Sequence, residues 1–343
     1  MSSLATFRAG EFTLESGETL RDMRVAYHLE GKVAPGGGNI VLLFHALTGT
    51  PVDFGGWEGL VGPGKPIDTR RYAVLCPNLL GSCYGTTFRR GKGRSREPLA
   101  IGTRDMARLA SRLVESLGGT RVVLAAGGSL GGMVALEWAA TFPDATETVA
   151  AFASPASASA WAAGWNHLQR ELVRSGRRGM ALARAAGMLS YRTPSEFEAR
   201  FRADTEADPS DQPVRRYLEH HGEKLVNRFS AKSYLYLLDT MDSHDVGRGR
   251  GGVGKALRAF EGRLVGVGIP GDLLYPPEEV KRWATPAKAE YREVGSAHGH
   301  DGFLIEEQAV GELVASLLGT KPSPVRSASP LRVVPGGQSG QSR

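Results

Sequence analysis

The chain has 343 residues, of which 41% are hydrophobic and 23% charged, a composition that excludes a disordered or fibrous protein. The length leaves room for two domains or for one large domain with an insertion. The formal net charge is +6, but residues 320–343 hold Lys321, Arg326, Arg332 and Arg343 and no acid, which leaves +2 for the rest; without a basic stripe carrying interleaved aromatics, this excludes an argument for nucleic acid. In chain order, runs 11–14 and 24–29 alternate polar and apolar residues and predict an antiparallel start to a sheet. Runs 39–44 (NIVLLF), 72–76 (YAVLC), 121–126 (RVVLAA) and 148–153 (TVAAFA) lack alternation, which predicts strands covered on both faces, as in a parallel sheet. Helical patterns fall between them at 101–118, ending at Gly118, and at 130–142, stopped by Pro143. Cys76 and Cys83 flank the short turn of 77–81 and read as reduced thiols, neither a disulfide framework nor a zinc site.

After residue 155 the character changes. Residues 158–240 are rich in Ala, Arg and Glu with helical periodicity, at 158–175, 179–190, 194–203 and 213–227. Strand patterns return at 263–269 and 289–294, and a closing helix is expected over 304–318. This alternation predicts a doubly wound α/β core, residues 1–157 and 244–319, interrupted by a helical lid at 158–243. Residues 320–343, dominated by Pro, Ser, Gly and Arg, are expected to be a disordered tail. The start of the chain lacks a charged segment followed by an apolar run, and no stretch approaches the roughly 18 apolar residues of a membrane helix, so the expected compartment is the cytoplasm.

Gly127-Gly128-Ser129-Leu130-Gly131 matches G-x-S-x-G. The pattern is weak alone but directly follows a buried-strand run and directly precedes a helix, the placement a nucleophile elbow needs. Ser129 is therefore the candidate nucleophile. A serine needs a base and the base needs an orienting group, and on an α/β-hydrolase sheet the order is Ser, acid, His. His298 and His300 share the loop 295–302 after the last strand pattern; residues and spacing alone leave both open. Eight Asp residues lie between Ser129 and His298; Asp272 alone follows a core strand pattern in a loop. The oxyanion donors expected are the N–H of Leu130 and one from the loop after the early strand, at Leu47 or its neighbour. His45, which opens that loop, reads as structural.

Six motifs together resemble the homoserine O-acyltransferases of the α/β-hydrolase superfamily: HALTG at 45–49, the stretch GPGKPIDTRRYAVLCPNLLGSCYGTT at 62–87, GGSLGGMVALEW at 127–138, DVGRGRGG at 245–252, DLLYPPEE at 272–279 and GHDGFLIE at 299–306. The likeness spans residues 10–318. It implies an α/β-hydrolase fold with nucleophile Ser129, acid Asp272 and base His300. It further implies that Asp301 binds the homoserine ammonium and that Arg184, with Tyr191 two helical turns on, lines the same cleft. The implied reaction is ping-pong transfer of an acetyl group from acetyl-CoA, a co-substrate, to L-homoserine, with no permanent cofactor and no metal. Succinyl transfer, a serine acceptor and a plain esterase or thioesterase remain as alternatives. A homodimer through the lid is implied by the resemblance.

Overall fold

The computed structural model describes residues 4–91, 99–202 and 212–319. The tail expected at 320–343 lies outside the described residues. The first half contains β1 (Ala5–Thr13), β2 (Thr19–Glu30), β3 (Ile40–Phe44), β4 (Val61–Gly62), β5 (Ile67–Asp68), β6 (Ala73–Pro77), β7 (Thr87–Arg89), α1 (Thr103–Ser116), β8 (Val122–Gly128), α2 (Leu130–Thr141) and β9 (Thr146–Phe152). Helices α3 (Ala160–Arg174), α4 (Gly179–Tyr191), α5 (Pro194–Phe201), α6 (Pro213–Val226) and α7 (Ala231–Asp242) follow without a strand among the described residues. The core resumes with α8 (Val253–Arg258), β10 (Arg263–Gly268), α9 (Pro277–Ala287), β11 (Glu290–Glu293), α10 (Gly302–Ile305) and α11 (Glu307–Gly319).

Among the described residues nine strands form one sheet in the order β1-β2-β6-β3-β8-β9-β10-β11, with β7 also paired to β2. From β6 to β11 all pairings are parallel; β1, β2 and β7 join antiparallel. The uninterrupted apolar runs are explained by burial on both sides. In β3, Leu42 and Phe44 enter one core with α1, α2 and α9, while Val41 and Leu43 enter a second core with α11. The reading of the core strands and of the helices it named holds to within a few residues, but the run 11–14 catches only the end of β1, and α8 and α9 were not read. It missed β7 and the separate β4–β5 pair, which are two or three residues long and too short for any period to register. The expected closing helix is two helices, interrupted at Glu306, whose carboxylate accepts the Ser296 hydroxyl at 2.8 Å.

The five-helix insertion leaves and re-enters the core at one place. Ser157 and Asp245 form an antiparallel bridge, the Ala158 N–H donates to His244 O at 2.8 Å, and the Val246 N–H donates to Ala156 O at 2.9 Å. His244 is buried beneath this crossing; its Nδ1 accepts from the Thr103 hydroxyl at 2.8 Å and its Nε2–H faces Pro155 O at 3.2 Å. Burial, the largest influence, lowers its pKa to about 4, so it stays neutral at physiological pH. The glycine- and arginine-rich motif at 245–252 is anchored below. Arg250 pairs with the fully buried Glu137 of α2 at 2.7 Å and donates to Thr141 Oγ1 at 2.8 Å, while Arg104 of α1 approaches Glu137 at 3.3 Å.

Glu137 is the shared anion of two nearly buried guanidinium groups; its loss leaves Arg250 buried without an anion, while Arg104 keeps Glu15 alone. Glu137→Ala is expected to cost about 3–5 kcal/mol, read as a lower urea midpoint at constant slope; a cost below about 1 kcal/mol, the range of a surface pair, would show that the network does not hold the motif.

Candidate active site

Ser129 sits where β8 turns into α2, with φ 55° and ψ −125°. A positive φ on a residue with a Cβ is a strained conformation costing about 1–3 kcal/mol and survives only where the surroundings dictate it. They do so here on every side. The Ser129 N–H donates to Phe152 O at 2.9 Å, its carbonyl accepts the Met133 N–H at 3.0 Å, and Ser154 Oγ lies 2.9 Å from the same carbonyl. A Cβ on Gly127 would stand 2.6 Å from both the Phe44 oxygen and the Gly131 backbone. One on Gly128 would enter the Phe303 ring, and one on Gly131 would strike the Phe44 carbonyl. The glycines of the motif thus permit close approach of helix to strands, while the serine alone carries the unusual dihedral.

Leu130 is the first residue of α2, so its N–H has no acceptor within the helix and adds to the positive end of the helix dipole. Leu47, in the loop after β3, lines the cavity beside Ser129. That loop is braced by His45, which is fully buried. The Leu79 N–H donates to His45 Nε2 at 3.0 Å, so the proton is on Nδ1 and donates to Ala46 O at 2.8 Å. Burial dominates and lowers the pKa of His45, keeping the ring neutral. The structural reading of His45 agrees with these contacts.

Asp272 lies in the loop after β10 and His300 in a single 3₁₀ turn, Gly299–Asp301. His300 Nδ1–H donates to Asp272 Oδ2 at 2.7 Å, and Asp272 Oδ1 accepts the N–H groups of Leu274 and Tyr275 at 2.8 and 2.9 Å. Both carboxylate oxygens are engaged, which fixes the ring and leaves Nε2 as the unprotonated nitrogen. Burial disfavours the imidazolium, but the charge and hydrogen bond of Asp272, aided by the charge of Asp301, outweigh it and hold the His300 pKa above its ordinary value. The rings of Tyr191, Tyr275 and Phe303 surround the imidazole at 5.7, 5.4 and 5.6 Å between centroids. Of the two histidines left open by spacing, His300 is the one beside Asp272. His298 points to the lid, where its Nδ1 accepts from Arg192 Nη1 at 3.3 Å.

Ser129, His300, Asp301, Leu47, Arg184 and Tyr191 all line one cavity of ≈ 430 Å³ between the sheet's carboxyl edge and the helical insertion. Leu130 and Asp272 stand behind it. The Arg184 guanidinium lies over the Tyr191 ring at 5.6 Å, so the two residues separated by two helical turns do face the same space. The Tyr191 phenol is buried and its pKa is pushed up, chiefly by desolvation. Lys224 and Arg228 bring further positive charge to the cavity wall. Arg228 donates to Thr48 O at 2.7 Å and to the Tyr84 hydroxyl, tying the insertion to two core loops.

Sequence reasoning singled out neither Lys224 nor Arg228 on the cavity wall, and it missed one group behind that wall. Arg192, directly after Tyr191, donates from Nε to Asp301 Oδ2 at 3.0 Å and approaches Glu196 Oε1 at 3.5 Å. Asp301 is therefore already half of an ion pair. The adjacency of Arg192 to Tyr191 was the sole clue, in an insertion that holds many other arginines. Among the described residues, no cluster of three or more His, Cys, Asp or Glu is arranged to hold a metal ion, and no helix is long and apolar enough to cross a membrane.

Residues 39–175 match the α/β-hydrolase fold family. The chain is 41% identical, over 91% of its length and 90% of the relative's, to a homoserine O-acetyltransferase of Thermus thermophilus. Its fold is similar to the crystal structure of the Staphylococcus aureus homoserine O-acetyltransferase, with a TM-score of 0.78, 29% identity and 94% and 97% of the two chains covered. It is also similar to that of Bacillus anthracis, with a TM-score of 0.85 at 21% identity over 94% and 100%, a likeness of fold. A sheet with its serine at a strained strand-to-helix turn, and 41% identity over nine-tenths of both chains, place this chain in the homoserine O-acetyltransferase family of α/β-hydrolase proteins.

Proposed function

We propose that the protein transfers an acetyl group from acetyl-CoA to the side-chain hydroxyl of L-homoserine, a step of methionine biosynthesis, through an acetyl-Ser129 intermediate. The observation that carries this reading is the single cavity onto which Ser129, His300, Asp301 and Arg184 open, with Asp272 holding His300 from behind. In the first half-reaction His300 Nε2 takes the Ser129 proton as the oxygen attacks the thioester carbonyl. The oxyanion is met by the N–H groups of Leu130 and Leu47. The C–S bond breaks, the thiolate of coenzyme A takes the proton from His300, and acetyl-serine remains. In the second, His300 removes the proton of the homoserine hydroxyl, which attacks the acetyl carbonyl; the bond between the acetyl carbon and Ser129 Oγ breaks, and Ser129 recovers its proton from His300. Asp301 receives the substrate ammonium and Arg184 its carboxylate, two opposite charges that set the hydroxyl beside His300. A cavity closed over by the insertion keeps water from the acetyl-enzyme.

The likeness to the acetyltransferases favours the acetyl donor and homoserine acceptor over a succinyl donor or serine. A homodimer formed through the lid suits the exposed apolar side chains Leu182 and Leu189 of α4 and Val226 of α6. A cytoplasmic location suits a biosynthetic enzyme using acetyl-CoA.

Intact-mass spectrometry after mixing with acetyl-CoA alone should show one added acetyl group, mapped to Ser129, with an equal burst of free thiol; Ser129→Ala should show neither. Turnover should then require homoserine, and rapid release of acetate without it would favour an esterase. The base must be neutral to act and its pKa is raised, so kcat/KM should be lost as pH falls through a midpoint above 6.5, the ordinary histidine value. Asp272→Asn removes most of what raises that pKa and leaves burial opposed by the charge of Asp301 alone, so the midpoint should move down, while kcat falls by about 10⁴. An unmoved midpoint would reject the pairing as the cause. Arg184→Ala should raise the KM for homoserine well beyond any change for acetyl-CoA; equal changes would remove it from the acceptor site.

A further inference from the structure

We propose that Arg192 is a positioning residue for the acceptor amino acid. It holds Asp301 from behind and thereby sets the place where the homoserine ammonium is received, an inference that rests on the role given to Asp301 above. Asp301 lies on the cavity wall, and Arg192 lies outside the described lining. Arg192 Nε donates to Asp301 Oδ2 at 3.0 Å. A carboxylate offers two oxygens and several lone pairs, so one oxygen held in this way leaves acceptor capacity for an ammonium. The guanidinium is itself held: its Nη1 donates to His298 Nδ1 at 3.3 Å and lies 3.5 Å from Glu196 Oε1. Its side chain is only 12% exposed, and those of Asp301 and Glu196 are 16% and 9% exposed.

The backbone around this pair is pinned as well. Thr193 Oγ1 donates to Ala297 O at 2.7 Å, just before the turn that carries His300, and accepts the Glu196 N–H at 3.1 Å, capping α5. Gly299 adopts φ 65° and packs against Thr193 and Arg192. The junction of α4 and α5 and the loop of the catalytic histidine are therefore tied to each other at several points. The same helix α4 carries Arg184 near its middle and ends one residue before Arg192. One helix thus fixes both charge anchors, the cation for the carboxylate directly and the anion for the ammonium through Arg192.

The test uses the full chain with Asp301→Asn, Arg192→Gln, Arg192→Lys and the double variant Arg192→Gln/Asp301→Asn. Steady-state kinetics would be measured with acetyl-CoA and homoserine, and the thiol burst without homoserine. Arg192→Gln should raise the homoserine KM about tenfold, the effect of about 1.4 kcal/mol, while the acetyl-CoA KM and the burst rate change less than about twofold. Arg192→Lys should recover part of the loss, because an ammonium donates but not as a fixed fork. The double variant should be no worse than Asp301→Asn, because the arginine acts through that carboxylate. A homoserine KM unchanged in Arg192→Gln while Asp301→Asn raises it would overturn the proposal, as would losses that multiply in the double variant or a burst slowed as much as the second step. An unchanged KM in Asp301→Asn would instead overturn the reading of Asp301. Should Arg192→Gln fail to fold, Arg192→Lys decides: a raised homoserine KM with an intact burst supports the role, and an unchanged KM overturns it.

Discussion

The conformation of Ser129 is the constraint around which the rest is arranged. Its φ of 55° is unfavourable for an L-residue and would relax if either neighbour gave way. The glycines at 127, 128 and 131 let strand and helix come so close that no such relaxation is open. The helix behind the turn is buried along its whole length, all twelve residues of it. Burial of that kind forces its lone acid, Glu137, to find two arginines. The packing that makes a sharp turn possible thus also dictates an ion network at the far end of the same helix.

Around this fixed point the other groups arrive from distant parts of the chain. Asp272 and His300 come from the loops after successive parallel strands, β10 and β11, and those loops meet at the carboxyl edge of the sheet, where ligands bind in open α/β folds. The insertion supplies the opposing wall. Arg228 joins it to the loop of Leu47, and Thr193 joins it to the loop of His300. Precision at the site comes from these cross-ties between insertion and core as much as from the residues that face the cavity.

Much of this was legible in the order of residues. Runs without alternation disclosed a sheet covered on both sides, and the change to helical periodicity after residue 155 disclosed the insertion. The elbow was visible because strand, glycines, serine and helix are contiguous. The choice between His298 and His300 was not legible from spacing, since the two lie in one loop; the resemblance named His300, and in space the placement of Asp272 separates them. The link between Arg192 and Asp301 was hidden for the same reason: the residues are 109 positions apart, and an arginine at a helix end, in an insertion that holds many arginines, gives no local sign that its partner is a carboxylate from the core. Short strands such as β4, β5 and β7 leave no period to read.

The crossing of the two segments at Ser157 and Asp245 has an evolutionary reach. A helical unit whose two ends meet at a single bridge behaves as a cassette: its length and contents can be rewritten without altering the spacing of the strands on which the serine, the carboxylate and the imidazole are mounted. The wall that faces the acceptor from the insertion can be edited in this way while the bond-making apparatus, and Asp301 beside it on the core, are inherited intact.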